Sequence, residues 1–163
     1  MRKTSTVVFT DDNRDKSKVF VITEMAARVA ETWALRFLLA LQRGGVEVPE
    51  DLAHLGFVGV ASAIGSKMIG GLAPGEVQPL LDELMKCVQV MPNPSNPSLV
   101  RPLVDAGIEG DDIEEVATRV KLKLEVVALH VGFSSRGELM TWISQRGALA
   151  SPTMPTSPDS SGP

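Results

Sequence analysis

The feature that most constrains this chain is a change of hydrophobic period at Glu24. Before it, Thr4 to Thr10 (TSTVVFT) and Val19 to Thr23 (VFVIT) are rich in β-branched and aromatic residues, separated by the polar, turn-forming Asp11 to Lys18 (DDNRDKSK). That pattern predicts a β-hairpin with a solvated loop. A lone hairpin is marginal in water, so it must pack on something. After Glu24, Val29, Trp33, Phe37 and Leu41 recur every four residues, with Ala30, Ala34 and Leu38 beside them. This is one face of a helix reaching about Arg43, with Thr23 as its expected N-cap and Gly44-Gly45 as its stop.

Further helices follow. A glycine-bearing apolar segment, about Asp51 to Gly70, is expected to be a buried helix. Each glycine there costs roughly 1 kcal/mol against alanine but lets backbones approach closely, which points to self-association. Pro74 suits the first turn of a helix running to about Val88, with Val77, Leu80, Leu81, Leu84, Met85 and Val88 on its apolar face and Pro79 inside. Pro92 to Ser98 can continue neither helix nor ladder and must be a turn or loop. Val88 to Met91 and Leu99 to Val104 flank it as short extended pieces, the second held to a sheet edge by Pro102.

Asp111 to Glu115 (DDIEE) is expected to open the clearest helix, Asp111 capping it with Glu114 in capping-box position. Ile113, Val116, Val120, Leu124, Val127 and Val131 form one stripe; Leu122, Val126, Leu129 and Phe133 form another. Two stripes mean burial on two sides, or one side for the core and one for a partner. Gly132 ends this helix, and Ser134 is the expected cap of a short one holding Leu139, Met140, Trp142 and Ile143. After Gly147 the chain is Ser/Thr/Pro-rich with almost nothing to bury, so a disordered tail is expected. The fold class is therefore α+β, mainly α: an N-terminal β-hairpin and four to five helices in one domain over residues 1–147, then a tail over 148–163.

Charge and composition exclude several functions. A chain of 163 residues with 20 acidic and 16 basic residues, net −4, has no basic block to displace phosphate counterions, so no nucleic acid is expected. The same balance disfavours an anionic membrane surface, and the apolar run Leu52 to Leu72 is interrupted by five glycines, His54 and Lys67, unlike a membrane span. The N-terminus shows no apolar run of the secretory type, and the single cysteine, Cys87, allows no internal disulfide, which fits a reducing compartment.

The candidate chemistries all fail on spacing. Asp11-Asp12-Asn13-Arg14-Asp15 starts like a calcium loop, but its sixth position is Lys16 instead of glycine and its twelfth is Ile22 instead of glutamate. Gly59 to Lys67 resembles a phosphate loop with Ser66 wrongly placed between Gly65 and Lys67, and Gly56-Phe57-Val58-Gly59 has an apolar pair where a KH loop clamps a phosphate backbone. His54 and His130 have no ligand-spaced partners, Cys87 has no neighbouring histidine, and Gly132 to Gly137 misses the nucleophile-elbow spacing by one. No catalytic residue, cofactor or metal is expected, and the chain reads as a binding protein rather than an enzyme.

Three stretches taken in order resemble the tail assembly chaperones of long-tailed bacteriophages. They are Lys18 to Met25 (KVFVITEM) with Ala30 to Ala34 (AETWA); Pro79 to Met85 (PLLDELM) with Cys87 to Gln89 (CVQ); and Val100 to Val104 (VRPLV), Asp112 to Val116 (DIEEV) and Leu129 to Ser134 (LHVGFS). The resemblance covers roughly residues 4 to 134. The chain departs from it at Ala26, where the family tends to have proline, and in the longer Asp105 to Gly110 segment. The resemblance implies a protein of the host cell cytoplasm that binds the long, hydrophobic tape measure protein, keeps it soluble until tube subunits polymerise around it, and is absent from the mature virion. It also implies a longer frameshifted form that recruits the tail-tube protein in some members. Coating an apolar helix would use a helix-in-groove mode. The expected contact residues are Trp33, Phe37, Leu122, Val126, Leu129, Phe133 and Trp142. Two rival roles are a virion tail-completion or connector subunit, which would be found in purified particles, and an inhibitor of a host defence protein, which would capture a host enzyme.

Overall fold

A computed structural model describes residues 1–45, 47, 58, 60, 74–133 and 135–149. The expected fold class holds. Strands β1 (Thr4–Val8), β2 (Val19–Thr23), β3 (Val88–Met91) and β4 (Arg101–Pro102) form one antiparallel sheet in the order β1-β2-β3-β4. Helices α1 (Ala27–Arg43), α2 (Pro74–Met85), α3 (Val116–Val131) and α4 (Arg136–Leu149) complete the described residues. Of the expected 51–70 helix only Val58 and Val60 are described, both helical, with Val60 in the core. The rest of it, with His54 and the remainder of the two glycine motifs, and the 150–163 part of the tail lie outside them.

Alternation along the strands selects one face for the core. Phe20 and Ile22 on β2 and Val88 and Val90 on β3 share that face with the half-buried Val7 of β1. They join Trp33, Ala34, Phe37, Leu38 and Leu41 of α1, Leu80, Leu84 and Met85 of α2, Leu122, Val126, Val127 and Leu129 of α3, and Leu139 and Ile143 of α4 in a single cluster. Phe9 closes the hairpin end, edge-on to Phe20 at 5.6 Å. The two short extended pieces flanking the proline loop are β3 and β4, and Pro102 does sit on the edge strand.

Several boundaries differ from expectation. Thr23 is the last residue of β2, and α1 starts four residues later, at Ala27, behind Ala26 with no side-chain cap. Val29 lies off the buried face of α1, 53% exposed. Helix α2 stops at Met85, so Cys87 stands in the turn before β3 rather than on a helix, and Val88 belongs to the sheet. Helix α3 starts at Val116, behind an extended Glu115, instead of at Asp111. Ser134 is outside the described residues; the Oγ of Ser135 accepts the Glu138 N–H at the start of α4. The glycine stops are as expected: the Gly44 N–H returns to Ala40, and Gly132, at φ 98°, returns its N–H to Ala128 and Leu129.

Candidate functional site

The seven expected contact residues divide sharply. Trp33, Phe37, Leu122, Val126 and Leu129 are core residues. Trp33 stacks on Phe37 at 5.4 Å, and its indole N–H donates to the Leu80 carbonyl at 2.9 Å, which locks α1 onto α2. These five cannot meet a partner without opening the fold. Phe133 and Trp142 are half-buried and touch each other at 5.8 Å across the α3–α4 corner. The second stripe of α3 is thus its core face, because packing on α2, α4 and β2 consumes it.

The first stripe behaves differently along its length. Val127 is buried, whereas Val120 is 50% and Val116 79% exposed. On α1, Leu35 and Leu39 (48% and 40% exposed) lie one turn apart on the face opposite Phe37. Val104 and Ile108 add exposed apolar surface on the long loop before α3. The sequence held a signal for Leu35 and Leu39: they are apolar at four-residue spacing outside the main stripe. The strength of the Trp33 stripe obscured it.

An open groove of about 1320 Å³ runs between the β2–α1 turn, α2 and the β3–β4 end of the sheet. Its walls mix Met25, Val29, Met85 and Leu103 with the charges of Arg2, Glu24, Glu83, Lys86 and Arg119. Cys87 lines it, yet burial pushes that thiol up to about 11, so it is a poor nucleophile. His130 is a strut, as expected of a structural histidine. Its Nε2 accepts the Met25 N–H at 2.8 Å and its Nδ1 lies 2.7 Å from the Val126 carbonyl. Burial holds it below the ordinary 6.5, and the Met25 bond requires the neutral ring.

The best-built polar cluster is the one least expected. The hairpin loop is anything but solvated at Asp15, whose side chain is fully buried. Its two carboxylate oxygens accept the backbone N–H groups of Glu114 and Glu115 at 3.0 Å each, and Oδ1 also takes the Lys18 ammonium at 2.8 Å. Burial alone would raise this carboxyl. Lys18, the two backbone donors and the adjacent Thr118 hydroxyl outweigh it and hold the group below the usual carboxylate value. Lys18 continues to the Asp112 carbonyl and Glu114, while Arg14 pairs with Glu115 and Lys121 with Asp11. Asp112 in turn takes Arg101 in a bidentate pair and the Val104 N–H. Every carboxylate is matched by a cation or an N–H, so the cluster is a clamp joining hairpin, β4 and α3. Among the described residues no three His, Cys, Asp or Glu side chains converge as a metal site, and no helix is long and apolar enough to cross a membrane.

No protein-family model matches the chain, and neither does any curated protein or solved structure.

Proposed function

We propose that the chain is a tail assembly chaperone: it holds the hydrophobic tape measure protein soluble in the host cytoplasm until the tail tube assembles, and it is not retained in the virion. The reading rests on the ordered resemblance over residues 4 to 134. The observation that carries it physically is apolar surface left outside a completed core, with Leu35 and Leu39 on α1 and Val116 and Val120 on α3 exposed by 40–79%. A holdase needs such surface with modest affinity, so that polymerisation of the tube can strip it away. The contact set moves accordingly, from the buried Trp33, Phe37, Leu122, Val126 and Leu129 to these four residues with Phe133, Trp142 and Met140.

Co-expression with the tape measure protein tests this. The intact chain should keep that protein in the soluble fraction. The double variant Leu35→Glu/Leu39→Glu should keep its own Tm but lose the client. A client that is soluble unaided, or held equally well by the double variant, would refute the assignment. Finding the chain in purified particles would favour the tail-completion role instead.

A further inference from the structure

The two edges of the sheet are not equivalent. At the β4 edge the strand is two residues long, Pro102 has no N–H to offer, and the Arg101 side chain is tied to Asp112. Such an edge cannot template another strand. The β1 edge has five extended residues, Thr4-Ser5-Thr6-Val7-Val8, with no proline, lysine or other charge among them.

Hydrogen-bond parity shows what this edge presents. Phe9 donates to the Lys18 carbonyl and accepts from Ser17, while the Lys3 carbonyl accepts from Glu24. The odd-numbered residues therefore turn their backbone groups toward β2, and Thr4, Thr6 and Val8 turn theirs outward. Those outward residues are also solvent-exposed, Val8 at 56%.

The ends of the strand identify the occupant. Arg2 and Lys3 precede β1; Asp11, which holds Lys121, and the exposed Asp12, beside Lys16, follow it. An antiparallel copy of the same strand lays the basic end of each over the acidic end of the other. A parallel copy would stack like charges.

We propose that two copies of the chain pair antiparallel through β1, about a two-fold axis at Thr6, into one continuous sheet. Thr6 faces its own counterpart, Thr4 faces Val8, and Arg2 falls opposite Thr10, within reach of the exposed Asp12. The outward groups of Thr4, Thr6 and Val8 then form about six inter-chain N–H···O bonds. The pairing involves neither Leu35 and Leu39 nor Val116 and Val120, so it stands apart from client binding.

Sedimentation equilibrium of the full chain over a wide concentration range is the test. The wild type should reach a dimer, twice the 17.4 kDa chain mass. Thr6→Lys puts two ammonium groups opposite each other on the axis and should return the chain to a monomer. Should that variant misfold by circular dichroism, disulfide trapping decides. Thr6→Cys should give a covalent dimer on mild oxidation and Leu35→Cys should not; the native Cys87 thiol is buried and does not compete. The proposal falls if the wild type stays monomeric throughout, if Thr6→Lys folds and keeps the dimer mass, or if Thr6→Cys cross-links no better than Leu35→Cys.

Discussion

The two ends of α3 are finished in opposite ways. At the C-terminal end Gly132 adopts the left-handed conformation and returns its own N–H to the last turn, a solution contained within five consecutive residues. At the N-terminal end the nearby Asp111, Asp112, Glu114 and Glu115 provide no cap at all. Asp111 accepts from Ala106 and Gly107, Asp112 from Val104 and Arg101, and Glu114 from Lys18. The N–H groups leading into the helix are instead satisfied by Asp15, about a hundred residues earlier in the chain. The acidic run was needed elsewhere, to hold β4 and the hairpin, so the helix start takes a carboxylate from the hairpin loop. One end of this helix is finished by its own residues; the two residues that lead into the other are held by the hairpin loop.

The largest expected effect follows from that dependence. Asp15→Ala strands two N–H groups at a buried position and takes from the Lys18 ammonium one of its three partners, and should cost about 3 kcal/mol. At about 3 °C per kcal/mol for a chain of this size, Tm should fall by roughly 10 °C. Amide exchange should speed up first over residues 114–118, where α3 starts. A loss below about 1 kcal/mol would mean that water replaces the carboxylate, and the clamp would then be ornamental.

Acid should separate the two ends in order. His130, near the C-terminal end, has a folded pKa below 6.5; its neutral form is the one bound, so its contribution is complete above 6.5 and is lost as pH falls below it. Asp15, at the N-terminal end, has a folded pKa below 3.8, so its contribution persists at pH 5 and is lost only as pH falls below 3.8. Chemical denaturation at pH 7.5, 5 and 3 should thus show two separate losses of stability. His130→Gln should remove the first and leave the second. A single loss confined below pH 4 in the wild type would contradict the role given to His130.

Gly132→Ala comes next. Nothing lies within 4 Å of a Cβ built at this glycine, so the cost is purely that of the φ of 98°, about 1 kcal/mol. Gly132→Asn should cost less, since asparagine tolerates this region. If alanine and asparagine were equally neutral, the end of α3 would be fixed by packing at Phe133 rather than by the glycine.

What was legible in the sequence follows the same divide. Periodicity placed the hairpin, β3, the edge position of Pro102, and the middles of α1, α2 and α3, because those depend on residues a few positions apart. Glycine stops at Gly44 and Gly132 were equally local. The start of α3 was not legible, since DDIEE fits a capping box as well as it fits ligands for Arg101 and Lys18. Nor was the role of Asp15, which looks like one more loop carboxylate until the fold buries it. The contact residues suffered from a related ambiguity. Trp33 and Phe37 are large and apolar for the same reason whether they meet a partner or α2, and only the Leu80 carbonyl bond at Trp33 reveals which.

The smallest effect discriminates most cleanly between a cap at Asp111 and the clamp at Asp15. If Asp111 capped α3, Asp111→Ala would cost about 1 kcal/mol and loosen the first turn of the helix. In the fold described it only braces the Ala106–Gly107 turn on an exposed loop, so the expected cost is about 0.5 kcal/mol, with amide protection of residues 116–120 unchanged. Exchange rates at those amides separate the two possibilities even where total stability barely moves. The Asp15→Ala variant supplies the contrast, because it leaves the whole acidic run intact and still frees the Glu114 and Glu115 N–H groups that lead into the helix.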